Sequence, residues 1–264
     1  MGGSRRKIVV MKFGGSSVAD PAKIQRAAAR IAAVWKKTKR VAVVVSAPGD
    51  MTDDLLALAS GVSKEPAVRE LDMLLAAGEQ VSIALLAMAL RARGVPAVSL
   101  TGPQAGFILE PVFGNARVAA LCPTRVRRVL AAGSVAVVAG FQGACRDGEL
   151  ATMGRGGSDL SAVALAAALG AGHCEIFTDV EGVYTADPRN THVVKKLSAI
   201  SYDEMLKLAI SGAQVMQVRS IAMAKRYGVV LHVRSSLTHK AGTWIPAKRN
   251  ARRAPAAFTE LRAR

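Results

Sequence analysis

The sequence predicts an α/β fold: a mainly parallel central sheet covered on both faces by helices, a three-layer α/β/α sandwich. Three observations carry the prediction. Short apolar runs of strand-like composition alternate along the chain with longer runs of helical periodicity, the order that parallel strands with helical crossovers produce. Apolar residues make up 51% of the 264 and aromatics only 4%, so the core must be built from Ala, Val, Leu and Ile, as suits buried strands under Ala-rich helices. A helix-start signal, Asp20-Pro21, stands directly after the first strand-like run and its loop.

Taken in order, residues 8–11 read as the first strand, running into a loop at Lys12-Phe13-Gly14-Gly15-Ser16-Ser17. Asp20 is the expected N-cap and Pro21 the first helical residue, with the helix ending near Trp35. Residues 41–45 form a wholly apolar strand, 46–52 a loop, and a further helix starts at about Asp53. Residues 71–90 are mostly helical, with an interruption expected near Gly78-Glu79. A short strand over 97–100 leads to a loop at 101–106. A helix over 125–130 is followed by a strand over 135–139 that runs into Gly140-Phe141-Gln142-Gly143. An Ala-rich helix over 158–169 starts on a second glycine run, and 174–178 is a strand ending at Asp179. Asp187-Pro188-Arg189 breaks the loop beyond, because the residue before proline avoids the helical region. Helices over 202–210 and 220–227 and a last strand over 229–233 complete the pattern, which fades after Gly242-Thr243. With no internal repeat and no linker between two cores, residues 1–245 read as one unit and 246–264 as a basic tail whose composition suits disorder.

The formal net charge is +17, part of it in Lys248, Arg249, Arg252, Arg253, Arg262 and Arg264, opposed there only by Glu260. Such an excess attracts nucleic acid, but no aromatic interleaving or nucleic-acid motif accompanies it. A nucleic-acid partner is therefore not expected; the charge is read as a solvated surface that draws anionic substrates toward a cleft. No apolar run reaches the roughly 18 uncharged residues of a membrane span, and the richest, 81–90, is too short. The run after the basic N-terminus stops at Lys12, which makes it a strand rather than a signal peptide. Cys122, Cys145 and Cys174 are odd in number, far apart and outside any C-x-x-C spacing, which fits reduced thiols and a cytoplasmic location. His173, His192, His232 and His239 lack helical i, i+4 spacing, and no metal-ligand cluster is visible.

Two glycine-rich stretches carry the chemistry: Lys12-Phe13-Gly14-Gly15-Ser16-Ser17 and Met153-Gly154-Arg155-Gly156-Gly157-Ser158-Asp159. Glycines let backbone N–H groups approach phosphate oxygens, because no Cβ intervenes. Lys12 and Arg155 can neutralise the charge of a transferring phosphoryl group, and Asp159 can orient a lysine, a metal or a water. The helix starting at the second stretch aims its N-terminal N–H groups and dipole at an anion. A lysine after a strand is ordinarily just exposed, and a Gly-Ser-Asp run is ordinarily a cap. Together the two stretches point to an enzyme that moves phosphate.

With Thr178-Asp179-Val180-Glu181-Gly182-Val183-Tyr184-Thr185-Ala186-Asp187-Pro188-Arg189, these stretches resemble the aspartokinases, members of the amino-acid-kinase fold that also houses acetylglutamate and uridylate kinases. The resemblance runs from about residue 8 to 245, and Gly140-Phe141-Gln142-Gly143 and Val233-Arg234-Ser235-Ser236 agree with it. It implies transfer of the ATP γ-phosphate to the side-chain carboxylate of L-aspartate, the opening step toward lysine, threonine and methionine, with Mg²⁺ bridging the phosphates. It implies that Lys12 and Asp159 are catalytic, Lys12 on the transferring group and Asp159 organising it. It puts Phe13, Gly14 and Gly15 at the nucleotide phosphates, and Thr178, Asp179, Tyr184, Asp187 and Arg189 along the rest of the nucleotide site. For aspartate it implies Arg155 on a carboxylate, Gly156, Gly157 and the hydroxyls of Ser46, Thr52 and Ser158 around it, and Glu79 at the ammonium group.

Two features depart from the family pattern. Gln214 stands where many aspartokinases carry a nucleotide-contacting lysine, which implies weaker ATP binding. Typical members continue into paired regulatory domains of the ACT type, and this sequence stops where they begin, so feedback through such domains is not expected. The partner is then either a second copy of the chain or a separate regulatory subunit. Two alternatives stay open: the same fold with another carboxylate acceptor, and a weakly active subunit that needs a regulatory partner.

Overall fold

The computed structural model describes residues 7–185, 194–212 and 215–247. Asp187, Arg189, Gln214 and the tail from residue 248 onward lie outside the described residues. Within them the chain runs β1 (Val9–Phe13), a 3-10 turn (Gly15–Ser17), α1 (Pro21–Thr38), β2 (Val41–Val45), α2 (Met51–Val62), α3 (Val68–Ala92), β3 (Ala97–Leu100), α4 (Gly102–Ala105), β4 (Phe107–Leu109), β5 (Val118–Leu121) and α5 (Thr124–Ala131). It continues through β6 (Val135–Ala139), β7 (Gln142–Ala144), β8 (Leu150–Thr152), α6 (Gly157–Leu169), β9 (His173–Thr178), α7 (Tyr202–Ile210), α8 (Val218–Tyr227), β10 (Leu231–Ser235) and β11 (Thr243–Ile245).

Seven strands make the main sheet in the order β11-β10-β9-β1-β2-β6-β3. Every neighbouring pair is parallel except β10 with β11. Side chains alternate across a strand, and that alternation divides the core in two. Val9, Met11, Phe13, Val41, Val43 and Val45 pack under α1 and α3. Val10, Ala42, Val44, Ala136 and Val138 join the core that contains α6. Lys12 shares the parity of Val10, so it emerges on the α6 face at the carboxyl end of β1. The carboxyl ends of parallel strands form the crevice where open α/β sheets bind ligands.

The predicted mainly parallel sandwich is present, with local differences that have physical causes. The expected loop at 12–17 begins two residues late, because Lys12 and Phe13 pair with Val44 and Val45 as strand. The expected break near Gly78 does not occur: α3 is unbroken over 25 residues. Gly78 is glycine because a Cβ there would lie 2.7 Å from the Ala47 Cβ; it lets α3 approach the β2–α2 loop rather than ending a helix. Residues 101–106 contain the short helix α4, closed by a capping box between Thr101 and Gln104. A second, four-stranded sheet, β5-β4-β7-β8, was not expected; its strands have three or four residues, too short for periodicity to register. β11 likewise lies past the point where the sequence pattern fades.

One helix among the described residues, α3, is long and apolar enough by length and composition to cross a membrane. The search for uncharged runs missed it because it carries Asp72 and Glu79. Its Ala76, Ile83, Leu86 and Leu90 are buried, the last three in the core beneath the sheet.

Candidate active site

β1 delivers Lys12 to the crevice and α6 delivers Asp159 in its first turn. Lys12 Nζ lies 2.7 Å from Asp159 Oδ1, with only 12% and 11% of the two side chains exposed. At this separation and burial the two form a close ion pair. An ammonium group has three N–H donors, so donors remain beside the aspartate for an incoming anion.

Glu79 projects from the interior of α3 and is 3% exposed. Its Oε1 accepts the Ala47 N–H at 2.9 Å, the close approach that Gly78 permits. Oε2 is buried with no partner among the described residues. Burial pushes the Glu79 carboxyl up to about 7, against the opposing pull of the Ala47 N–H. An unpartnered, buried carboxylate oxygen is costly unless something cationic meets it.

A cavity of about 530 Å³ joins these groups; Lys12, Ser46, Thr52, Glu79, Arg155 and the α6 start from Gly156 to Asp159 all line it. The α6 N-cap is Gly156, at φ +73°, where a Cβ would collide with the Gln217 side chain at 1.9 Å. No side chain caps this end of the helix, so its N-terminal amides face the cavity with their dipole. Arg155 stands exposed at the mouth. Phe141, also on the wall, holds the left-handed conformation at φ +67°. Its N–H donates to Ser161 Oγ at 3.0 Å and its carbonyl accepts from Met153 N–H at 2.8 Å. Strained backbone of this kind tends to be held in place where a ligand sits.

Among the residues the sequence reading missed are Asp72 and Gln217, on the cavity wall, and Gln142, buried outside its lining. Asp72 is 1% exposed; its carboxylate accepts from the Gly114 and Thr152 N–H groups at 2.9 and 2.8 Å and from the Thr152 hydroxyl at 2.6 Å. It thereby ties α3 to β8 and to the loop before β5. Spacing could have found it, since Asp72 and Glu79 are two helical turns apart and share a face. Gln217 sits against Gly156, and Gln142 donates to the Ala76 carbonyl at 2.7 Å from a fully buried position. Gln217 carries no sequence signal beyond being polar, and Gln142 stands in the Gly140-Phe141-Gln142-Gly143 run without a mark of its own contact.

The expected nucleotide residues fall differently. Gly14 donates to the Phe177 carbonyl at 3.3 Å, and Gly15 accepts from Gly49 at 3.1 Å, so both are engaged at the rim. The Phe13 side chain does not reach the site: it is 1% exposed and packs with the α1/α3 core, its ring 4.6 Å from that of Phe177. The parity that turns Lys12 toward α6 turns Phe13 away. Thr178 ends β9, beside β1, and Asp179 follows it, with the Thr178 hydroxyl donating to Asp179 at 2.9 Å. Tyr184 bridges to Lys196. These three stand outside the 530 Å³ cavity.

Comparison with known proteins bears on this geometry. The family model described as the amino acid kinase family matches residues 7–235. The aspartokinase of Thermus thermophilus is 52% identical over 238 residues, which are 90% of this chain and 59% of that protein. Among solved structures, the aspartate kinase from Synechocystis superposes with a TM-score of 0.83 at 45% identity, over 94% of this chain and 41% of that one. E. coli aspartokinase III, in complex with aspartate and ADP, gives a TM-score of 0.83 at 28% identity, over 92% of this chain and 65% of that one. The chain thus spans 59% of the length of the curated relative.

Proposed function

The chain belongs to the amino acid kinase family, and on that premise we propose that it is an aspartate kinase, transferring the γ-phosphate of ATP to the side-chain carboxylate of L-aspartate to give 4-phospho-L-aspartate. The observation that carries the reading is the unpartnered Glu79 Oε2 in the same cavity as Arg155 and the Lys12–Asp159 pair. That set suits an α-amino acid with two carboxylates: one cationic group to meet Glu79, one carboxylate for a guanidinium, and a second carboxylate left to react. The 52% identity to an aspartokinase supports it.

In this reading the substrate ammonium docks on Glu79 and the α-carboxylate on Arg155, with Ser46, Thr52 and Ser158 supplying hydroxyl contacts. The side-chain carboxylate oxygen attacks the γ-phosphorus. One O–P bond forms as the bond to the β–γ bridging oxygen breaks, and ADP leaves with that electron pair. Lys12 and the amides at the start of α6 stabilise the charge on the transferring group, the dominant form of catalysis in such reactions. Asp159 positions Lys12. We assign the nucleotide to the rim formed by Gly14, Gly15, Thr178, Asp179 and Tyr184, and extend it to Asp187 and Arg189 beyond the described residues.

Among the described residues no group of three or more ligating side chains could hold a metal. This fits a magnesium ion carried by nucleotide phosphates and water, with Asp159 the carboxylate able to face it. Bound there, it would neutralise phosphate charge. We assign catalysis to residues 1–245 and a cytoplasmic setting to the enzyme; Cys122, Cys145 and Cys174 are all free thiols.

The test is to trap the acyl phosphate with hydroxylamine, using purified protein, ATP, Mg²⁺ and L-aspartate. Hydroxamate that depends on both substrates is the expected result. Its absence while ATP binding persists would move the assignment to another acceptor.

A further inference from the structure

On the opposite face of the sheet from Lys12, a cavity of about 400 Å³ opens between α1 and the chain after β10. Arg26, Arg30 and Lys37 reach it from α1, where their spacing of four and seven residues puts them on one stripe. Arg234 reaches it from β10, and Glu175 is the single carboxylate on the wall. Four cations thus face one anion, and Arg234 already engages that anion, Nη1 to Oε1 at 2.9 Å. Neither Arg26 nor Lys37 has an ion pair within 4 Å among the described residues.

The two inner guanidinium groups are held in place. Both stack on the Phe177 ring, at 5.2 Å for Arg30 and 5.7 Å for Arg234. Arg30 also donates to the Ser236 and Thr238 carbonyls at 3.4 and 2.6 Å. Arg234 Nε and the Thr238 hydroxyl are buried with no partner among the described residues. Burial and then the neighbouring Arg234 push the Arg30 pKa down, and Glu175 offsets them only in part. Buried donors normally find partners, and adjoining fixed guanidinium forks match phosphate oxygens.

We infer that this cavity is a second anion site, distinct from the catalytic one, which binds a phosphorylated small molecule carrying two or more negative charges. The net excess of cations favours a polyanion over a single carboxylate. The site abuts the catalytic strands: Phe177 stacks on Phe13, the residue after Lys12, and the Ser236 N–H donates to the Thr178 carbonyl at 2.8 Å. An occupant is therefore placed to alter the nucleotide rim.

Pyrophosphate is the probe, with Lys12→Met as background to weaken the catalytic cavity. At ten times its Kd, pyrophosphate should raise Tm by roughly 3–6 °C. Adding Arg26→Glu and Lys37→Glu, both at exposed positions, should abolish the shift. No shift in the background, or a shift that survives the charge reversals, overturns the proposal. Malonate at the same concentration should give less; an equal shift overturns the phosphate assignment. If Lys12→Met does not fold, ³¹P line broadening of pyrophosphate by the unmodified protein and by Arg26→Glu/Lys37→Glu decides the matter. Broadening must fall in the double variant, and undiminished broadening overturns the site.

Discussion

Lys12 Nζ and Asp159 Oδ1 are 2.7 Å apart, joining residues 147 positions distant in sequence across the crevice between β1 and α6. In the proposed chemistry the lysine meets the transferring phosphoryl group and the aspartate fixes where the lysine stands. Asp159→Asn keeps the shape and loses the charge, so kcat for hydroxamate formation should fall about 10²–10³-fold with a smaller change in the KM for aspartate. Because the two act as a unit, Lys12→Met/Asp159→Asn should be little worse than the poorer single variant. Additive losses in steady-state kinetics would separate them.

Glu79 sets a pH dependence with a definite sign. Its folded-state pKa, about 7, stands above the ordinary carboxylate value, so between those values the folded protein holds a proton that the unfolded chain has released. Stability from this group is fully present below the ordinary value and is lost as pH rises through 7. Glu79→Gln removes the dependence, and at pH 8 the variant should be the more stable by roughly 3 kcal/mol. Thermal melts of both proteins from pH 5 to 9 measure it; parallel curves would count against a protonated Glu79.

The same carboxyl makes a prediction about binding. A substrate ammonium on Glu79 Oε2 favours the ionised form, so aspartate binding near pH 6.5 should release a fraction of a proton. Calorimetry in buffers of different ionisation enthalpy reads this directly. Glu79→Gln should release none and should raise the KM for aspartate more than that for ATP.

Gly78→Ala tests why α3 carries a glycine at its centre. Alanine should gain about 1 kcal/mol of helix propensity. Its Cβ would meet the Ala47 Cβ at 2.7 Å, and such overpacking costs about 1–3 kcal/mol. The expected result is net destabilisation in denaturant melts, with a raised KM for aspartate because Glu79 moves with the helix. A stabilised variant would mean that the helix and loop do not touch as described.

Asp72 accepts three hydrogen bonds and has no ion pair within 4 Å among the described residues. Asp72→Ala should cost about 3 kcal/mol, since it strands the buried Thr152 amide and hydroxyl and the half-buried Gly114 amide. Asp72→Asn should cost less, because an amide oxygen can take both N–H groups while the amide nitrogen donates to the Thr152 hydroxyl. Equal losses for the two substitutions in chemical denaturation would refute that hydrogen-bond assignment.

The sequence by itself determined the alternation of strands and helices, the glycine stretches and the residues that carry charge at their ends. These are local properties: β2 and β6 read as strands because their residues are uniformly apolar and small, and α1 starts at Pro21 because Asp20 can cap it, as its bond to the Lys23 N–H at 2.8 Å shows. Lys12, Glu79, Arg155 and Asp159 were legible as a site only through the order of their motifs. What only the tertiary structure decided is which of them share a cavity. Strand parity turned Lys12 toward α6 and Phe13 into the opposite core. The meeting of α3 with the Ala47 loop changed Gly78 from a break into a contact and left one Glu79 oxygen unpartnered. Asp72 shares a helical face with Glu79, but Gln217 and the basic cavity beside α1 were invisible for the same reason: each depends on groups far apart in the chain, and hydrophobic periodicity reports which way a side chain faces, not what it meets there.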